Sequence, residues 1–272
     1  MNLGYACINM ELNARKGDDR ITTNRSMIKK TFNDKGVDYA SELILQNVVD
    51  LNKIIDWNEQ NNIKFFRLSS EMFPWASEYY QDWDSVPHID LIKIWLENAG
   101  LKAEEYGQRI TSHPGPFNVL VSPNENVVQN TITDLTIHGQ IFDMMGLSRT
   151  PYNKLNIHCN GVYGDKQSAL DRFCKNFERL PESVQTRLTV ENDDKASMYS
   201  VKDLYEGIHK RIGIPIVFDY HHYKFNTGEQ TEREALEMAL STWGDIKPVV
   251  HYSESKAEHE LNESIKPQAH SD

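Results

Sequence analysis

The residues best suited to chemistry stand at the end of one short apolar run, residues 214–222, which reads I-P-I-V-F-D-Y-H-H. A β-rich run of this length after a Gly-Ile-Pro turn is typical of an interior strand of a parallel sheet. Asp219 and His222 follow the run, so a chain that turns off the strand can direct an oxygen and a nitrogen ligand at one divalent ion. A packed or helix-capping histidine explains the same residues without a metal, and repetition of the pattern separates the two interpretations.

The pattern recurs at the ends of four further apolar runs, which finish at His113, His158, Glu191 and His251. Clustered imidazoles and carboxylates are what two or three divalent ions require. We therefore predict that these four residues, with Asp219 and His222, converge on a metal cluster.

Other residues near these ends are given ordinary roles. Asp193 and Asp194 are predicted to be solvated loop carboxylates, with capping of the next turn or support of the metal ligands as alternatives. His138, His209 and His259 are predicted to be packing or surface histidines.

The elements that must position these residues alternate in type along the chain. Seven strands are predicted at residues 3–7, 63–68, 109–112, 154–158, 187–190, 214–218 and 247–251. Between them, apolar residues recur at helical spacing over residues 40–55, 88–99, 126–145, 166–177, 201–211 and 231–240. Repeated βα units of this number favour a TIM (β/α)8 barrel, with a doubly wound parallel sheet as the alternative.

One strand of the barrel is missing from this scheme. After residue 255 the sequence offers only a charged segment, 256–266, so we expect either an open barrel or a chain that stops short of its natural end. No linker or repeat divides the sequence, and we predict a single domain over residues 1–272, truncated at its C-terminus.

Composition limits the functional classes. The 272 residues carry a formal net charge of −11, which disfavours non-specific binding of polyanions by the whole surface, although bound metal ions would reverse the local sign. Three scattered cysteines and the lack of a signal sequence or membrane span lead us to expect a cytoplasmic protein. Without a phosphate-binding glycine loop, a G-x-S-x-G turn or an H-E-x-x-H pair, metal-assisted hydrolysis and metal-assisted isomerisation are the open reaction classes.

Motifs along essentially the whole chain resemble those of the UV damage endonucleases, which are related in fold to the endonuclease IV class of apurinic endonucleases. The motifs run in order from L-G-Y-A-C-I-N at residues 3–9, through F-R-L-S-S-E-M-F-P-W-A-S at 66–77 and S-H-P-G at 112–115, to H-C-N-G-V-Y-G-D-K at 158–166. They continue as V-E-N-D-D at 190–194, F-D-Y-H-H at 218–222, P-V-V-H-Y-S at 248–253 and A-H-S-D at 269–272.

The resemblance implies a TIM barrel that uses two or three divalent ions, with Mn²⁺ expected and Zn²⁺ or Mg²⁺ as alternatives. Its metal ligands would be His113, His158, Glu191, Asp219, His222, His251 and His270. Glu191 and His251 would also be catalytic, and Tyr5, Asn9, Pro116 and Phe117 would contact the substrate. The implied activity is hydrolysis of the phosphodiester bond 5′ to UV photoproducts in double-stranded DNA, and also at abasic sites, by a monomer without membrane contact.

Four departures from the family pattern bear on this activity. Pro116 and Phe117 replace the usual Gln-Tyr that probes the lesion, so an amide contact is lost while an aromatic ring remains. Glu78, which we include among the catalytic candidates, replaces a histidine, and Val249 replaces a lysine near the bound phosphate. The closing strand with its acidic ligand is absent. Two alternatives therefore stand beside the endonuclease: a sugar isomerase or epimerase of the same barrel type, and a catalytically impaired protein that binds damaged DNA.

Overall fold

Each of the seven predicted runs overlaps a β-strand in the computed structural model, which describes residues 2–262 and 264–271. The strands are β1 Gly4–Ala6, β2 Phe65–Leu68, β3 Arg109–Ser112, β4 Leu155–His158, β5 Leu188–Glu191, β6 Ile216–Asp219 and β7 Val250–His251. They follow one another in the sheet in sequence order, with parallel pairing. Sequential parallel strands joined by helical crossovers give the topology of a TIM barrel, with seven of its eight strands among the described residues.

Helices occupy the predicted amphipathic segments, and short ones precede or follow several strands. The helices are α1 Met10–Asn13, α2 Lys29–Gln60, α3 Ile89–Glu105, α4 Glu125–Met144, α5 Lys166–Phe177, α6 Glu182–Gln185, α7 Val201–Leu204, α8 Lys210–Ile212, α9 Tyr220–Phe225 and α10 Glu232–Ser241. A π-helical turn at Tyr205–His209 joins α7 to α8. In the part of the chain that the structure describes, no helix is both long and apolar enough to cross a membrane.

The chain forms two compact units, Met1–Pro114 with Thr133–Leu155, and Gly115–Ile132 with Asn156–Asp272. In the first unit α2 packs on α3, because α2 buries a stripe at three- and four-residue spacing that includes Ile44, Val48, Leu51 and Ile55. The stripe was the predicted part of α2; the helix itself is longer and contains a break at Gly36, where φ is 66°.

Close approach of β1 to β2 in this first unit depends on Gly4. A Cβ atom at Gly4 would lie 2.0 Å from the carbonyl oxygen of Phe65, so only glycine allows the two strands to pair here.

The second unit holds β5, β6 and β7, and the apolar residues of β5 and β6 are buried. Val190, Ile216 and Phe218 are all fully buried, and α10 packs on β6. A capping box between Thr231 and Glu234 fixes the start of α10. Helix α10 therefore supports β6, the strand that ends in Asp219.

No eighth parallel strand occurs among residues 2–262 and 264–271. Instead, the chain after β7 returns on itself, and Ser255 forms an antiparallel bridge with His270. The Lys256 amide donates to the Ala269 carbonyl at 2.8 Å, and the Ser271 amide donates to the Glu254 carbonyl at 2.8 Å. Asp272, which ends the A-H-S-D motif, lies outside the described residues.

Candidate metal centre

The centre lies in the second unit, at the carboxyl ends of four strands. His158 ends β4, Glu191 ends β5, Asp219 ends β6 and His251 ends β7. Parallel strands present these ends at one edge of the sheet, which is why residues far apart in sequence meet there. Glu191 is 1% exposed and Asp219 is 3% exposed. Two carboxylates buried this deeply require compensating cations or strong hydrogen bonds.

A single helical turn brings His222 back beside Asp219. Asp219 caps the N-terminus of α9, and its Oδ1 accepts the backbone amide of His222 at 2.9 Å. The spacing of three residues between the cap and His222 is therefore set by the capping geometry. Ligand atoms of Glu191, Asp219 and His222 all lie within 4.8 Å of one another. Two carboxylates and an imidazole converging in this way form a donor set suited to a divalent ion.

The two carboxylate oxygens of Glu191 face different groups. Oε1 lies 3.6 Å from Nδ1 of His222 and 3.8 Å from Nε2 of His158, whereas Oε2 lies 2.9 Å from Nδ1 of His251. A carboxylate placed between two sets of imidazoles can bridge two cations, one on each oxygen.

His270 reaches the same centre from the chain's return after β7. Its Nε2 lies 3.0 Å from Nε2 of His222, and its Nδ1 lies 2.6 Å from Oγ of Ser253. Nδ1 of His222 is 2.8 Å from the Asn192 carbonyl oxygen, which can only accept, so this nitrogen carries a proton. In the neutral His222 ring, Nε2 then presents a lone pair to His270. Nε2 of His270 can donate a hydrogen bond to this lone pair when the Ser253 hydroxyl donates to Nδ1; without that proton, the two facing nitrogens are a donor pair suited to a divalent ion.

Asn192 fixes the relative position of β5 and β6 directly behind the ligands. Its side chain accepts the amide of Asp219 at 2.8 Å and donates to the Asp219 carbonyl at 3.1 Å. The backbone carbonyl of Asn192 accepts a hydrogen bond from Nδ1 of His222. Asn192 was not among the residues predicted from the sequence. Its position directly after Glu191 was the one signal in the sequence that could have placed it near the centre.

A second overlooked residue, Asn156, orients Glu191. The Asn156 Nδ2 donates a hydrogen bond to Oε2 of Glu191, and the Asn156 Oδ1 accepts from the Thr189 hydroxyl at 2.7 Å. All three side chains are buried. These two hydrogen bonds hold the Glu191 carboxylate in one orientation, as hydrogen bonds to metal ligands commonly do.

Asp193 is buried, although the sequence predicted a solvated loop carboxylate. It is 6% exposed, and its Oδ1 lies 3.3 Å from Nδ1 of His158. Its Oδ2 accepts the Tyr199 amide at 3.4 Å. A carboxylate on one ring nitrogen fixes the orientation of a histidine whose other nitrogen can bind a metal. The prediction was wrong because sequence alone did not show that the loop after β5 folds inward.

Two further candidates, His113 and Glu78, belong to the first unit. His113 follows β3, and its Nδ1 lies 3.2 Å from the Pro114 carbonyl oxygen. Glu78 is exposed at the end of a single 3₁₀ turn. Both roles stay predictions.

Tyr5 and Asn9 are linked to each other and to α2 in the first unit. The Tyr5 hydroxyl donates to Oδ1 of Asn58 at 2.7 Å and accepts from Nδ2 of Asn9 at 2.9 Å. The Asn9 Oδ1 accepts the Leu12 amide at 3.0 Å and so caps α1. Their polar groups are thus held in defined positions, and their contact with substrate remains a prediction.

Pro116 and Phe117 occupy a loop of the second unit. Phe117 is 85% exposed, an unusual position for a phenyl ring in a folded chain. Asn160 Nδ2 lies 3.3 Å from the Asn118 carbonyl oxygen and 3.5 Å from that of Pro116. This polar side chain supports the loop and leaves the Phe117 ring in solvent.

Burial and neighbouring charges both shift the pKa values of the ionisable groups at the centre. Burial lowers the pKa of His158, but the charge of Glu191, the hydrogen bond that His158 donates to Asp193 and the charges of Asp193 and Asp219 outweigh it and raise the pKa to about 9. Burial and the neighbouring Glu191 raise the pKa of Asp219. Burial, together with His222 and His221, lowers the pKa of His270. The electrostatic field thus favours an added positive charge beside Glu191.

The raised pKa of His158 predicts a pH dependence of the metal-free chain. Its folded pKa of about 9 exceeds the ordinary value of 6.5, so protonated His158 stabilises the fold fully below pH 6.5 and this contribution is lost as the pH rises through 9. By the usual conversion the loss is at most about 3 kcal/mol. Urea unfolding in a chelator at pH 6.5 and pH 9.5 measures it. His158→Gln should remove that part of the pH dependence, and an unchanged profile in this variant would contradict the assignment.

Sequential βα topology with histidines and carboxylates gathered at the strand ends defines a TIM-barrel protein with a candidate metal centre. The sequence model of the family described as UV-endonuclease UvdE matches residues 1–271. The chain therefore belongs to the UV-endonuclease UvdE family.

Known relatives agree with this membership. The UV-damage endonuclease of Schizosaccharomyces pombe is 37% identical over 280 aligned residues, which cover 99% of this chain and 45% of the relative. The chain thus spans less than half the length of that protein. The crystal structure of SacUVDE matches with a TM-score of 0.85 at 30% identity and covers 99% of this chain and 84% of the other.

A more distant structural neighbour supports the barrel assignment. D-psicose 3-epimerase from Clostridium cellulolyticum H10 has a TM-score of 0.52 at 13% identity, covering 75% of this chain and 67% of that one. At this identity the likeness concerns the fold alone.

Proposed function

We propose that this chain is a divalent-metal-dependent endonuclease that hydrolyses the DNA backbone immediately 5′ to UV photoproducts, and also at abasic sites. The observation that carries the proposal is the placement of Glu191, a buried carboxylate whose two oxygens face separate imidazoles among the ends of four strands. Membership in the UV-endonuclease family supplies the substrate class.

The proposed ligands, the last six of which lie in the second unit, are His113, His158, Glu191, Asp219, His222, His251 and His270. We propose two or three ions, with Mn²⁺ as the metal and Zn²⁺ or Mg²⁺ as alternatives. Such ions activate water and stabilise the charge that develops on a phosphate during hydrolysis.

The protein's own part in the reaction is to hold these groups in fixed positions. Asn156 orients Glu191 through a hydrogen bond to Oε2, and Asp193 keeps the His158 ring turned with Nε2 toward Glu191. His251, at 2.9 Å from Glu191, can exchange a proton with it or share a cation. We propose Glu191, His251 and Glu78 as the catalytic candidates.

Recognition of the substrate is proposed to depend on the lesion rather than on sequence. A photoproduct weakens base stacking, so displacing its nucleotides costs less free energy than displacing intact ones. Phe117 offers an exposed ring for the space left in the stack. Tyr5, Asn9 and Pro116 are proposed to contact the damaged double-stranded DNA, with the protein acting as a monomer.

The proposal is tested by incubating the purified chain and Mn²⁺ with end-labelled duplexes that carry one photoproduct, one abasic site or no lesion. We expect incision directly 5′ to the photoproduct, weaker incision at the abasic site and none in the intact duplex. Addition of a chelator should abolish incision. Lesion-selective binding without incision in any metal would instead favour the catalytically impaired DNA-binding protein.

A further inference from the structure

The chain that follows β7 carries His270 yet has little packing of its own. We call residues 252–262 and 264–271 the return segment; none of its described residues is buried. Leu261, for example, is 92% exposed. Without an apolar core, the position of this segment must depend on particular polar and ring contacts.

Adjacent histidines of α9 contact the return segment, and the rings of Tyr220 and Tyr252 also lie edge to face. Nε2 of His222 lies 3.0 Å from Nε2 of His270. His221 lies 3.2 Å through its Nε2 from the carbonyl oxygen of Gln268, and its ring lies edge-on to His270 with centroids 4.8 Å apart. Because a carbonyl oxygen can only accept, Nε2 of His221 is the donor.

His221 is fully buried, and its other nitrogen makes no hydrogen bond with any residue that the structure describes. Buried polar atoms are normally satisfied, and an exception calls for a reason. Phe225 packs on the ring with a centroid distance of 5.1 Å in an edge-on arrangement. The ring is therefore held by packing in the orientation that directs its one used nitrogen at Gln268.

We propose that His221 is a positioning residue that docks the return segment and thereby places His270 at the metal centre. The proposal rests on the proposed function insofar as His270 is a ligand, but the docking itself does not require a metal. His221 acts on Gln268 and His270 and does not contact the substrate.

The first test measures docking in the metal-free protein. Trypsin cleavage after Lys256 reports on docking, because the Lys256 amide donates a hydrogen bond to the Ala269 carbonyl in the docked segment. This bond must break before the protease can bind the backbone there. We expect His221→Phe, which keeps a ring but removes the donor, to accelerate this cleavage about tenfold or more. His221→Gln retains an N–H near the position of Nε2 and should restore slow cleavage. Gln268→Ala preserves the carbonyl and serves as the matched control.

The second test measures Mn²⁺ binding by titration calorimetry of the same proteins. Residues that orient a metal ligand typically alter affinity by about 10- to 100-fold, and we expect His221→Phe to weaken one Mn²⁺ site to this extent. In a His270→Ala background the same substitution should have no further effect, because the residue through which it acts is gone. His221→Gln should recover most of the affinity for Mn²⁺.

The outcomes separate this proposal from the proposed function. Equal losses of Mn²⁺ affinity with and without His270, or unchanged cleavage in His221→Phe, would overturn the positioning role. Failure of the unaltered chain to bind Mn²⁺ would overturn the metal-dependent function, while the cleavage comparison would still decide whether His221 docks the segment. If His221→Phe does not fold, the comparison of His221→Gln with His221→Ala applies the same criteria.

Discussion

Glu191→Gln is expected to reduce incision of a photoproduct-containing duplex by about 10²- to 10³-fold, because it weakens the hold on the proposed cations that stabilise transition-state charge, and loss of one such electrostatic contribution typically has an effect of this size. The substitution keeps the size and shape of the side chain but removes the negative charge between His222 and His251. Glutamine can still accept the hydrogen bond from Asn156, so the fold should survive. The measurement is the single-turnover rate of incision at saturating Mn²⁺, with circular dichroism as the check on folding.

The control for this substitution is Glu178→Gln, which removes a carboxylate of the same size from an exposed position at the end of α5. Its incision rate should match that of the unaltered chain. Near-normal cleavage by Glu191→Gln in excess metal would count against a catalytic role for Glu191.

Phe117→Ala is expected to weaken binding to lesion-containing DNA by roughly 5- to 150-fold with little change on the intact duplex. Stacking of an aromatic ring on a base is worth about 1–3 kcal/mol, which converts to that range of dissociation constants. The 85% exposure of Phe117 means that its removal costs the fold little. Fluorescence anisotropy on matched duplexes with and without one photoproduct measures both affinities.

Two further substitutions separate stacking from simple apolar contact. Phe117→Trp retains a ring and should bind the lesion about as well as the unaltered chain, whereas Phe117→Leu should resemble Phe117→Ala. Equal losses on both duplexes would assign Phe117 to general DNA contact or packing.

The site residues at the strand ends were predictable because each follows directly after a short apolar run that marks a strand. Short apolar runs mark buried parallel strands, and each polar residue directly after such a run must lie at the same edge of the sheet. Asp219 illustrates this best, since the run before it, the helix cap it forms and the position of His222 all follow from local sequence. The TIM-barrel topology was confirmed, with seven strands in sequence order.

What local sequence could not show was how loops fold back over those ends. Asp193 looks like a solvated residue in the run E-N-D-D, but the loop turns inward and buries it against His158. Asn156 points at Glu191 from another strand, a relation that depends on strand register. His270 was suggested by family resemblance, whereas its docking through His221 required the three-dimensional structure.

The most direct test of the central claim is an anomalous-difference map from a crystal of this chain grown with Mn²⁺. The account predicts density beside Glu191, with one ion within coordination distance of Oε1, Asp219 and His222, and a second near Oε2 and His251. Density elsewhere on the surface, with none beside Glu191 at saturating Mn²⁺, would contradict it.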